Sequence, residues 1–169
     1  MRRIPDTQHH SRNSYVFSIS KTFERIAYYG FRGVFIFYLM SDIIGMERAE
    51  ALEVYGQFVA AVFISMVLGA LAGDFLIGNR RAMIIGGILQ MGGFFILLIQ
   101  NQTFLMVGSV ITVIGSGLYS SNLIAQFGEE YLHKNTLSDA GFTFFFLAIN
   151  IAGPIGVWII SPLRVLAII

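Results

Sequence analysis

The chain has no cysteine in its 169 residues. That absence excludes disulfides, thiolate metal sites and cysteine nucleophiles, and leaves the redox compartment open. Charge is scarce as well. Only 12% of the residues are Asp, Glu, Lys or Arg, and the formal net charge is +1. So even a balance gives no electrostatic reason for a nucleic-acid partner. Catalytic patterns are missing too: His9, His10 and His133 match no metal-ligand spacing, and no nucleophile–base pair stands out. Nothing points to an enzyme, a metal or a cofactor. The adjacent His9 and His10 read as part of a solvated tail.

What is abundant is apolar surface. Hydrophobic residues make up 56% of the chain, 16 of them Phe, and the mean hydropathy is +0.72. A soluble domain of this length needs far less. A bilayer crossing takes roughly 20 mainly apolar residues. Five runs meet that length, at about Ser18–Met40, Ala51–Leu71, Ala82–Ile99, Thr103–Phe127 and Phe142–Ile160. The expected class is an all-α, multi-pass membrane protein: a polar tail over 1–13, then an incomplete five-helix bundle over 14–169. The tail is too polar, and the first run too long, for a cleaved signal peptide. Arg2, Arg3, Arg12, Arg80, Arg81 and Lys134 fall on one side, against Arg48 and Arg164 on the other. The positive-inside rule then puts the N-terminus in the cytoplasm, with the lipid bilayer of the cell membrane around the bundle. Gly69 with Gly73, and Ala148, Ala152 and Gly156, place small residues four apart where helices approach. Beyond Pro162 the chain reads SPLRVLAII, as if cut rather than finished.

Residues 14–44 carry the chemistry. Ser14, Ser18, Lys21, Glu24, Arg25, Tyr28 and Arg32 recur at steps of three and four, which gathers them on one helical face. Ile19, Phe23, Ile26, Val34 and Phe37 fall on the other. Charges within a membrane helix are costly unless they face other helices or a wet cavity. The plainer reading makes Lys21 and Glu24 the water-exposed start of a helix beginning near Arg25; Arg32, two turns further in, speaks against it. Tyr29, Ser116, Ser120, Asn122 and Asn150 add polar groups within the spans, although each alone fits an interhelical hydrogen bond. Arg25 offers a forked donor pair to a carboxylate. Glu24 takes up a proton if desolvation dominates and keeps its charge if Arg25 dominates. That opposition suits a switch in which protonation frees the arginine.

The stretch Glu24-Arg25-Ile26-Ala27-Tyr28-Tyr29-Gly30 resembles the first-helix signature of the proton-dependent oligopeptide transporters, a branch of the major facilitator superfamily. GALAGDFLIGNRR (69–81) resembles the superfamily's loop between helices two and three. GSGLYSSNLIAQFGEEY and GFTFFFLAINIAGPIG are similar to the family's fourth and fifth helices. The resemblance implies most of the N-terminal six-helix bundle of a major facilitator fold. It further implies uptake of di- and tripeptides with protons by alternating access, with this chain expected to be an N-terminal fragment of such a symporter that lacks the C-terminal half. By position, Glu24 and Arg25 correspond to the proton-coupling and carboxylate-recognition pair. Tyr28 and Tyr29 match tyrosines lining the peptide site, Asn150 an asparagine near the peptide amino end, and Asp74, Arg80 and Arg81 the cytoplasmic gating loop. The two arginines serve equally as orientation signals.

Four positions depart from the pattern. Lys21 stands where the family has a glutamate, Ser120-Ser121 where it has Lys-Pro before Asn122, and Phe63 where it has a cavity tyrosine. Lys21 is expected to pair with Glu24 one turn away and to leave Arg25 unneutralised. Two rival readings remain open: a carrier of another solute with altered or no proton coupling, and a truncated, non-transporting protein that associates with a longer relative.

Overall fold

The computed structural model describes residues 9–99, 101–132, 135–160 and 162. Helix α1 (Arg12–Leu39) begins well before its apolar stretch, because Ser11 caps it: its Oγ accepts from the Ser14 N–H at 3.1 Å. Helix α2 (Arg48–Ala72) runs on through a π-helical turn, Gly73–Ile77, to Gly78. Gly78 has φ +82°, a left-handed conformation that a side chain resists, and turns the chain into α3 (Asn79–Leu97). Helix α4 (Gln102–Glu129) is capped by Asn101, whose side chain accepts from the Thr103 N–H. Helix α5 (Asn135–Ile160) ends short of Pro162, where the sequence places the break. Arg2, Arg3, Lys134 and Arg164, which carry part of the orientation argument, lie outside the described residues, as does His133.

Four segments are long and apolar enough to cross a membrane: Arg48–Ile77, Asn79–Leu97, Gln102–Glu129 and Leu137–Ile159. Helix α1 matches α4 in length at 28 residues but fails on composition, since Lys21, Glu24, Arg25 and Arg32 interrupt it. Its place as a fifth crossing rests on its neighbours. It packs chiefly against α5, while α4 packs against both α3 and α2.

Small residues set these contacts. A Cβ on Gly117 of α4 would meet the backbone of Ser65 on α2, and one on Gly69 would meet the backbone of Gly117. The two helices therefore touch main chain to main chain. On α5, Ala152 is fully buried and a Cβ on Gly156 would strike the Ile26 carbonyl of α1. The outer surface is the reverse of a water-soluble one: Phe63, Ile64, Val67 and Leu68 on α2 and Ile84, Ile88 and Phe95 on α3 stand exposed. A patch of this size suits lipid or a partner bundle.

Candidate ion cluster and substrate groove

The Glu24 carboxylate is the centre of the site. Its Oε2 lies 2.9 Å from Lys21 Nζ and accepts from Arg25 Nε at 2.6 Å. Its Oε1 accepts from Arg25 Nη2 at 2.7 Å and from Gln90 Nε2 at 2.9 Å. Lys21 Nζ donates to Ser120 Oγ on α4 at 2.7 Å, and Arg25 Nη2 reaches the same oxygen at 3.2 Å. The Lys21 side chain is 3% exposed, those of Arg25 and Glu24 11% each. The group is sheltered between α1, α3 and α4.

The expected Lys21–Glu24 pair is present, but Arg25 is not left unneutralised. Neighbouring residues on a helix point about 100° apart, which is why sequence spacing gives no hint of their contact. The long arginine stem turns its fork back onto the carboxylate. Glu24, with four lone-pair sites, accepts fork and ammonium together.

One turn on, tyrosines bracket two guanidinium groups. Arg25 Cζ stands 4.6 Å from the Tyr28 ring centroid and 5.9 Å from that of Tyr29. Arg32 Cζ stands 5.8 and 5.9 Å from the same rings, and its Nη2 donates to the Tyr55 hydroxyl of α2 at 2.8 Å. Cation–π contacts of this kind hold arginines where ordinary solvation is absent. Among the described residues, neither Arg25 Nη1 nor Arg32 Nη1 has a hydrogen-bond acceptor. Tyr29 also lines an open groove of about 660 Å³ with Asn150, Gly153, Pro154 and Trp158 of α5. Pro154 has no N–H to give the Asn150 carbonyl, so that carbonyl lacks its usual i+4 helical donor there. A second groove, of about 460 Å³ between α1 and α3, reaches Glu24 and Gln90.

Other expected residues lie apart from this cluster. Asn122 is 1% exposed and donates to the carbonyls of Gly69 and Leu118, which makes it a joint between α4 and α2. Phe63 is 65% exposed on α2. Ser116 is buried with a hydroxyl that finds no partner among the described residues. Asp74, Arg80 and Arg81 share a separate groove with Gln126 and Glu129 at the α2–α3 turn; no ion pair closes on either arginine among the described residues. His10 is not free in solvent: its Nδ1 lies 2.9 Å from the Tyr131 hydroxyl, while Ser11 and Asn13 donate to Glu130 nearby.

Sequence reasoning missed Gln90 and Tyr55. Gln90 is the one polar side chain between Ala82 and Leu97, a signal that isolation alone could have raised. Tyr55 lies within the Ala51–Leu71 apolar run, where a single hydroxyl gave none.

Comparison with known proteins places the chain in context. No family model matches it. Dipeptide and tripeptide permease B of Edwardsiella piscicida is 28% identical over 151 residues, covering 87% of this chain and 30% of the permease. The permease of the same name from Photorhabdus luminescens is 31% identical over 132 residues, covering 76% and 26%. A crystal structure of a POT family transporter in complex with thioalcohol conjugated peptide matches with a TM-score of 0.86 at 28% identity, over 90% of this chain and 32% of that one. The chain thus spans less than a third of the length of these curated relatives.

Proposed function

We propose a function from one premise: the chain belongs to the proton-dependent oligopeptide transporter (POT) family of the major facilitator superfamily, matching the N-terminal part of its members. It is a multi-pass membrane protein and a transporter segment, not an enzyme. In our reading it lines one side of a cavity that takes di- and tripeptides, and a C-terminal bundle supplies the other side. Alternating access then follows as one bundle rocks against the other. The protein resides in the cell membrane with its N-terminus in the cytoplasm.

The observation that supports this reading is the Glu24–Arg25 fork beside Tyr28 and Tyr29, next to a groove that holds Asn150. Arg25 receives the peptide carboxylate, and Asn150 the amino end. Protonating Glu24 would remove its charge and release the fork to the cargo. The full-length carrier in liposomes is expected to accumulate labelled dipeptide under an inward proton gradient, and Arg25→Ala to abolish it. Absence of peptide uptake in wild-type vesicles would reject the reading.

One observation favours a second reading, in which coupling is altered. All three charges of the cluster stand on α1, and α4 contributes only the neutral Ser120. Separating α1 from α4 therefore breaks no ion pair. Uptake that is equal at two pH values, with and without the gradient, would select this version.

A further inference from the structure

The cluster holds two cations against one carboxylate. Lys21 and Arg25 both contact Glu24, and no other carboxylate lies within 4 Å of either cation among the described residues. Lys21 is the more deeply buried of the two, with its ammonium fixed by Glu24 and Ser120 and 5.4 Å from the Tyr119 ring centroid. It cannot meet cargo directly. Its charge nonetheless adds to that of Arg25 against the single carboxylate, so the cluster as a whole keeps one unit of positive charge, and Arg25 Nη1, which has no acceptor among the described residues, lies beside the tyrosines. A membrane interior does not tolerate such a surplus without a counter-ion.

We propose that Lys21 is a positioning residue for charge selection: by neutralising Glu24 it leaves the site one positive charge in excess, and the site prefers net-anionic peptides, those with an acidic side chain, to zwitterionic ones, and these to cationic ones. The inference rests on the peptide-carrier reading and specifies the cargo of that same site. The acidic side chain adds the second negative charge, after the terminal carboxylate, that the surplus attracts. A basic side chain is repelled by the same field.

The test is competition against labelled dialanine uptake by the full-length carrier in liposomes, with Ala-Asp, Ala-Ala and Ala-Lys as competitors. Ala-Asp is expected to compete about tenfold better than Ala-Ala, and Ala-Lys worse, a span typical of one partly screened charge contact. Lys21→Gln flattens the ranking, and Lys21→Arg, which keeps the charge, restores it. A merely structural lysine would change the amount of folded carrier but not the order of competitors. Equal competition by all three in wild type overturns the proposal and leaves the carrier reading standing. A ranking untouched by Lys21→Gln overturns the assignment to Lys21. Failure of every peptide to enter or compete rejects both.

Discussion

A carboxylate that accepts from four donors is hard to displace. Glu24 takes bonds from Lys21, from two nitrogens of Arg25 and from Gln90. Each donor fixes an oxygen that would otherwise face a sheltered, poorly solvated interior. Hydrogen bonds to a charged group contribute roughly 1.5–3 kcal/mol. Gln90→Leu is therefore expected to lower the thermal stability of the purified carrier by about 2 kcal/mol. It should also weaken dipeptide affinity, because Arg25 then has a less firmly held partner. Melting in detergent and the KM of uptake check the two halves; an unchanged melting temperature would make Gln90 a bystander. The charged residues of this site were legible because they repeat at helical steps on one face. Gln90 was not, since a lone glutamine has no period, and the Glu24–Arg25 contact was read from the chemistry of the two side chains rather than from spacing, without its coexistence with the Lys21 pair.

Helix–helix contact depends on what is missing from side chains. Gly117 and Gly69 let α4 and α2 meet at the backbone, where nothing can give way. Gly117→Val forces main chain apart and is expected to cost at least the 1–3 kcal/mol of an overpacked core. The outcome should be loss of monodisperse protein on size-exclusion chromatography. Gly56→Ala, at a helical position with open space around it, should leave the elution profile unchanged. Hydropathy located every helix but not every end. The start of α1 is set by the Ser11 cap and that of α4 by Asn101, and the end of α2 is carried past Ala72 by a π turn. None of these raises or lowers apolar content. The same limit applies to Asn122, whose role as a joint follows from the close approach of Gly69 rather than from its own residue type.

Across the whole molecule, α1 is the element that composition alone would exclude from a membrane. It is held by α5 through Gly156 and Gly153, and it turns Lys21, Glu24 and Arg25 toward α3 and α4. Ile19 and Phe23 point out, at 57% and 68% exposed. That division matches the two faces read from the sequence. The claim beneath the functional reading is that Tyr29 and Asn150 border a water-filled cavity while the outer face of α3 meets lipid. These 169 residues have no cysteine, so once any cysteine in the rest of the carrier is replaced by serine, single replacements report without background. In the full-length carrier, Tyr29→Cys and Asn150→Cys should react with a membrane-impermeant maleimide, dipeptide should slow both reactions, and Ile88→Cys should stay unlabelled. Labelling of Ile88→Cys with silence at the other two positions would contradict the account.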